Sequence, residues 1–278
     1  MPCRTGQAKR GLLALAPQAA QQEGDRTLGF LGGGDGRVGV ALVGAIAPFV
    51  VYPTFLMKLL CFALFACAFN LLLGFTGLLS FGHAAFFGFS AYITGHTIKA
   101  MGWTPELGIL AGTLVAALLG LVFGLVAIRR QGIYFAMITL ALAQMVYFIC
   151  LQAPFTGGED GLQGVPRGKL FGLIPLANDL AMYYVVVAVF VAVFLGVIRI
   201  VHSPYGQVLK AIRENEPRAV SLGYDVSKYK LLAFVLSTSI AGLAGSLKTL
   251  VLGFATLSDA HWSMSGEVVL MTLLGGMG

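Results

Sequence analysis

The 278-residue chain is 58% hydrophobic and only 11% charged, against about a quarter charged in a soluble domain. That excludes a water-soluble globular domain, because too little polar side chain exists to cover an apolar core, and lipid must be the solvent. The net charge of +6 is no nucleic-acid signal, since most of the cations fall on one face of the membrane, as shown below. Four cysteines (Cys3, Cys61, Cys67, Cys150) without framework spacing indicate neither disulfides nor a metal site.

Residues 1–37 mix Gly, Gln and charges of both signs, with one short apolar run at Gly11–Pro17, and read as a disordered N-terminal tail. From Val38 to Gly278 the chain is a membrane domain. Its apolar segments lie at 38–52, 55–73, 84–100, 107–128, 132–151, 181–198 and 231–252, and an eighth begins near Val268. Each is near the ~20 residues that span a bilayer. Backbone groups in hydrocarbon must pair within the segment, so these are helices, and the alternation of a membrane barrel is absent. The expected fold is all-α, a polytopic transmembrane bundle of about eight spans.

In the second segment Asn70 is a polar side chain at membrane depth, which is expensive unless paired. It either faces a translocation path or bonds a neighbouring helix. The stretch Gly74–Gly88 then interrupts two apolar runs with glycines, Thr76, Ser80 and His83. Broken helices of this kind line solute paths in transporters, because freed backbone groups face the cargo, and a helix N-terminus there suits a carboxylate. Gly77, Ser80, Gly82 and His83 are therefore path candidates. The alternatives are close helix packing for the glycines and an interfacial helix cap for His83. Gly120-x-x-x-Gly124 in the fourth segment reads as a packing motif. Gln144 in the fifth poses the same choice as Asn70.

Two loops are long. Gln152–Asp179 contains Thr156-Gly157-Gly158-Glu159-Asp160-Gly161 and three prolines. The other, 201–230, is polar but patterned. Ser203-Pro204 is a helix start, with the hydroxyl as N-cap and Pro at the first helical position. Tyr205, Val208, Leu209 and Ile212 follow at helical spacing as one apolar face. Pro217 ends that helix near Glu216, a second short helix runs to Leu222, and Gly223 suits a left-handed terminus. The pair reads as a docking element for a partner's groove. Resting on lipid headgroups is the alternative, against which Glu214, Glu216 and Asp225 count, because the anionic leaflet repels them. Further on, Lys248 sits uncomfortably four residues before its span ends, and Glu267 either pairs with it or simply lies at the outer surface.

Lys and Arg set the orientation. With the N-terminus inside, thirteen of the eighteen fall on cytoplasmic segments, including Arg129, Arg130, Lys210, Arg213, Arg218, Lys228 and Lys230. Lys58, Lys99, Arg167, Lys169 and Lys248 are left at the outer side.

The run Tyr205-Gly206-Gln207-Val208-Leu209-Lys210-Ala211-Ile212-Arg213-Glu214-Asn215-Glu216, with Leu222-Gly223 and Lys228-Tyr229-Lys230-Leu231-Leu232-Ala233-Phe234, resembles the coupling loop of branched-chain amino acid ABC transporter permeases of the LivM type. Asn70-Leu71-Leu72-Leu73-Gly74 with Gly77–Gly88, Arg130–Ala136, Thr156–Leu162 and Leu274–Gly278 resemble further blocks of that family, in its order over about 40–278. The resemblance implies a permease subunit that imports branched-chain or hydrophobic amino acids by alternating access. It implies a second, LivH-like permease, ATP-binding subunits and an extracytoplasmic solute-binding protein as partners. ATP, the one cofactor, would lie on the separate subunit. Tyr205, Gly206, Arg213, Glu214, Glu216 and Gly223 would form the ATPase-coupling loop, in the inner membrane of the cell. It also implies one or two spans beyond Gly278, so the chain reads as truncated. A urea or short-amide permease is the alternative within that class, and a membrane-embedded enzyme the alternative outside it. No phosphate loop, zinc motif or nucleophile elbow occurs in the sequence, which points away from an enzyme.

Overall fold

A computed structural model describes residues 52–130, 132–170, 174–176 and 178–276. The tail expected at 1–37 and the span expected from Val38 lie outside them. Helix α1 (Pro53–Thr76) starts on a proline, whose fixed φ suits the first turn. It stops at Gly77, which is left-handed (φ 71°) and returns its N–H to Leu73 O at 3.2 Å. After a non-helical link come α2 (His83–Lys99), α3 (Pro105–Ala127), α4 (Ile133–Gln152) and α5 (Asp179–Val201). The short helices α6 (Pro204–Glu214) and α7 (Glu216–Ser221) follow, then α8 (Val226–Leu252) and α9 (Trp262–Gly275). Among the described residues the only sheet is two antiparallel pairs of two-residue strands: Leu162–Gln163 with Phe254–Ala255, and Lys169–Leu170 with Ile174–Pro175.

Five of the described helices, α1, α3, α4, α5 and α8, are long and apolar enough to cross a bilayer. They coincide with the segments expected at 55–73, 107–128, 132–151, 181–198 and 231–252. This is an all-α, multi-pass membrane fold. The segment expected at 84–100 is helical too, but α2 is a 17-residue helix largely enclosed by its neighbours. The last segment begins at Trp262, earlier than expected.

The core is built around α8, which lies against α1, α2 and α3 at once. Small residues let these backbones approach. A Cβ added at Gly120 would lie 1.9 Å from Thr238 Oγ1, and one at Gly124 2.6 Å from Leu231 Cδ1, so the Gly120-x-x-x-Gly124 pair is the seam between α3 and α8. Hydroxyls stitch α2 to α8: Ser90 Oγ donates to Gly242 O at 2.7 Å and Thr94 Oγ1 to Ser246 Oγ at 2.8 Å. In contrast, α5 is the least buried of the five long helices.

The depth of α2 follows from its partners. His83, its first residue, meets Ser237, and Ser237 meets Ala68. At 1.5 Å per residue those positions lie about 12–17 Å from the ends of α1 and α8 nearest to Arg213 and Lys228. Helix α2 therefore starts near mid-bundle and climbs to the opposite end, where Lys99 Nζ donates to Gln163 O at 2.7 Å. The chain enters from that opposite end in a second break. Gly253 ends α8 in the same left-handed form as Gly77 (φ 74°), and the following segment carries Ala260 down onto Gly88. There Ser265 Oγ of α9 accepts the Ala84 N–H of α2 at 2.9 Å. Two helices thus begin inside the bundle, entered from opposite ends, and their first turns touch.

Candidate functional site

The junction of these breaks collects part of the predicted path set. Gly77 closes α1. Ser80 is fully buried, and its Oγ accepts the Gly82 N–H at 3.3 Å. Gly82 lies on α4, where a Cβ would come 2.7 Å from Thr139 O, and Gly88 fits Ala260 as closely, at 2.6 Å. Both glycines are therefore packing positions, the reading left open beside path-lining.

His83 is buried completely, which overturns the expectation of an interfacial cap. Its ring stands edge-on to Phe69 (5.2 Å between centroids), Phe86 and Phe234 (both 5.9 Å). Ser237 Oγ has one hydrogen and donates it to Ala68 O at 2.5 Å. The 2.8 Å contact between His83 Nε2 and Ser237 Oγ must then run from Nε2–H to the hydroxyl oxygen. That leaves Nδ1 as an acceptor with no partner among the described residues. Asn70 is half-buried on α1 and is also partnered. Gln144 lies half-buried on α4, five residues beyond Thr139.

Ser237→Ala removes the acceptor of His83 Nε2–H and the donor to Ala68 O together. It is expected to cost about 1–3 kcal/mol, because the buried His83 Nε2–H is left unpaired, while Ala68 O keeps its place in the α1 ladder. Ser239→Ala, which loses only a local bond to Leu236 O, should cost a few tenths. Thermal unfolding in detergent compares the two.

The second site is the 201–230 loop. Its two short helices are present as expected, with different ends. Ser203 does not cap α6: its Oγ donates backwards to Ile200 O at 2.6 Å. Helix α6 ends at Glu214, two residues early, because Asn215 becomes the N-cap of α7 and accepts the Arg218 N–H at 3.2 Å. Gly223 is left-handed as expected, with φ 88°.

The apolar face of α6 is used within the chain. Leu209 and Ile212 are buried, and Ile212 joins Ala219 and Val226 in a small core backed by Val208 and Tyr229. Tyr205 stacks on Tyr229 at 5.7 Å and donates Oη–H to Tyr229 O at 2.9 Å. Burial there raises its phenol pKa, with Tyr229 adding to the effect, so it stays a donor. Gly206 allows α6 to sit against the end of α5, where a Cβ would lie 2.1 Å from Val201 O. Glu216 holds Lys230 at 2.8 Å, and Glu214 is exposed. Val220, Leu222 and Tyr224 are exposed around Gly223.

The two sites meet at Arg213. Its guanidinium Nη1 donates to Gly74 O in the last turn of α1, and its Cγ lies 3.4 Å from where a Cβ would stand on Gly77. Lys210 lies over the Phe75 ring at 5.7 Å. A helix leaves its last carbonyls unpaired and carries partial negative charge at that end. Arg213 satisfies one of those carbonyls and its charge favours that end, which fastens the polar loop to the start of the break. No sequence signal pointed to this contact, since 139 residues separate the partners.

Of the two readings open for Glu267, partner of Lys248 or outer-surface residue, the first fails: Lys248 pairs with Asp259, both members of the pair are buried, and Lys248 also lies 5.7 Å from the Phe62 and Phe87 rings. Glu267 is exposed.

Comparison with known proteins places these features in a family. The model of the family described as "Branched-chain amino acid transport system / permease component" matches residues 52–278. The chain is 30% identical over 237 residues to the high-affinity branched-chain amino acid transport system permease protein LivM of Salmonella typhimurium, and equally to that of Escherichia coli. Each match covers 75% of this chain and 55% of the relative. A probable branched-chain amino acid transport permease protein LivM of Methanocaldococcus jannaschii is 26% identical over 185 residues, 62% of this chain and 50% of the relative. The chain thus spans about half the length of the curated relatives it matches. No solved structure matches. On the family match and the breadth of these alignments, the chain belongs to the branched-chain amino acid transport permease family.

Proposed function

We propose that this chain is the membrane-spanning permease subunit of an ATP-driven ABC importer for branched-chain and other hydrophobic amino acids. The observation that carries the reading is the Arg213 to Gly74 bond, which ties the exposed α6–α7 loop to the point where α1 breaks. In this mechanism Val220, Leu222 and Tyr224 seat in a cleft of a separate ATP-binding subunit, which alone binds ATP. Closure of that subunit displaces α6. Arg213 and Lys210 pass the displacement to the end of α1, and the Gly77–His83 segment shifts against α4 and α9, opening the path to one side at a time. The apolar rings of Phe69, Phe86 and Phe234 around the break suit an aliphatic side chain. The names of the relatives support the same substrate class. A second permease and an outer solute-binding protein complete the assembly. The end bearing Arg129, Arg130, Lys210, Arg213, Arg218, Lys228 and Lys230 faces the cytoplasm of an inner membrane, with the N-terminus on that side.

The test is uptake of labelled leucine by the assembled transporter in vesicles supplied with ATP and the cognate binding protein. Arg213→Ala is expected to lower uptake at least tenfold while ATP hydrolysis continues. Gly223→Val, which forces a branched side chain into φ 88°, should weaken association with the ATP-binding subunit. Full leucine uptake by both variants would refute the coupling assignment, and uptake of urea in place of leucine would refute the substrate class.

A further inference from the structure

The basic end holds a feature that coupling does not use. Between the end of α3 and the start of α8 lies a cavity of about 260 Å³, lined by Leu125, Ile128, Arg129, Ser227, Lys228 and Leu231. Its chemistry is divided. Leu125, Ile128 and Leu231 form an apolar wall, while Arg129, Lys228 and the Ser227 hydroxyl form a polar rim at the membrane boundary. The apolar wall does not end inside the protein. Leu125 is exposed and continues an exposed ridge of α3 through Val122, Leu121 and Leu118, the ridge that faces hydrocarbon.

The rim carries uncompensated positive charge. Lys228 shares its ammonium with Asp225 at 2.8 Å. Arg129 and Arg130, both exposed, have no ion-pair partner among the described residues. Just across the α3–α4 turn the same division recurs, with Arg130 at the head of a hollow of about 450 Å³ walled by Tyr134, Met137 and Ile138. A soluble anion would need only the rim. A second protein's groove would not need apolar walls that run on into the lipid-facing ridge. A molecule with an anionic head and an aliphatic tail uses both parts.

We infer that the α3–α8 cavity is a binding site for an anionic phospholipid, its phosphate held by Arg129 with Lys228 and Ser227, and one acyl chain laid along Leu125 toward Leu121. Basic pockets between membrane helices at the headgroup level take such lipids. The site does not depend on the import function. Only the naming of its leaflet as the inner one rests on the proposed orientation.

The experiment uses the purified full chain in neutral detergent. Phosphatidylglycerol, phosphatidylcholine and glycerol phosphate are each titrated, with retained lipid read by mass spectrometry and the unfolding midpoint by circular dichroism. Phosphatidylglycerol is expected to bind about tenfold more tightly than phosphatidylcholine and to raise the midpoint. Arg129→Gln with Lys228→Gln should weaken phosphatidylglycerol about tenfold, since each cation near an anionic surface contributes a few-fold. Phosphatidylcholine binding should not change. Arg129→Lys should restore most of the preference, and Lys58→Gln, at the opposite end, should leave it intact. Because Arg129 and Lys228 are exposed, the double variant is not expected to unfold the chain. Equal binding of the two lipids, or an unchanged preference in the double variant, overturns the proposal. So does competition by glycerol phosphate at concentrations comparable to the lipid, which would make this a soluble-phosphate site.

Discussion

Lys248→Ala is expected to be among the most destabilising single substitutions in the chain, at about 3–5 kcal/mol, because it leaves the Asp259 carboxylate buried without a counter-charge. Asp259→Ala should cost a similar amount for the mirror reason. Lys248 is 5% and Asp259 2% exposed, so water cannot substitute for either partner. The pair also has a local job. Asp259 Oδ2 accepts the Thr256 N–H at 3.4 Å in a capping box, so the same side chain shapes the turn that carries Ala260 onto Gly88. Removing both charges at once, with Lys248→Met and Asp259→Leu, should recover most of the loss, as apolar replacements of buried ion pairs commonly do. The order of unfolding midpoints in detergent checks this. A double variant no more stable than Lys248→Ala alone would mean that the capping bonds, not the charge pair, hold the turn.

Gly245→Val should damage the fold by a different route. A Cβ at Gly245 would lie 2.1 Å from Phe87 O and 2.7 Å from Ser90 Oγ, so α2 and α8 must separate to admit it. Separation also stretches the Ser90 Oγ bond to Gly242 O and the Thr94–Ser246 bond. Overpacking of a tight interior costs about 1–3 kcal/mol and occasionally more, and with two buried hydrogen bonds weakened the upper part of that range is expected. Gly196 is the matched control. It lies within α5 with nothing within 4 Å of an added Cβ, so Gly196→Ala should be neutral or stabilise by up to about 1 kcal/mol through helix propensity. Thermal midpoints of the two variants should fall on opposite sides of the parent or, at the least, differ by several degrees.

The spans were legible because a bilayer imposes both a length and an apolar composition, and the ends of α1, α3, α4, α5 and α8 fall within a few residues of the hydropathy boundaries. What hydropathy could not report is depth. Helix α2 looks like any other span until His83 is found against Ser237, about half-way along its neighbours. The glycines of 74–88 did signal a break, and Ser80, Gly82 and His83 do lie at it. The matching break after Gly253 was not visible, because its partners are two-residue strands and a single turn, too short to leave a periodic pattern. The partner of Lys248, Asp259, was not visible either, because it reaches Lys248 only through the turn that follows Gly253. The loop at 201–230 shows the same limit. Its amphipathic face was correctly read from Val208, Leu209 and Ile212, yet its cover is the chain's own Ala219 and Val226, while Leu222 and Tyr224 stay exposed.

The position of α2 constrains how the protein is made. Its hydroxyls and imidazole bond to residues of α8 that lie 152–154 positions later in the chain. Until α8 has been synthesised, Ser90, Thr94 and His83 have no partners on it, and a helix with that many polar groups is a poor guest for hydrocarbon. Helix α2 therefore completes its set of polar bonds only when α8 follows five further helices out of the ribosome. The last long helix to be translated among those described is the one that lets an early one settle.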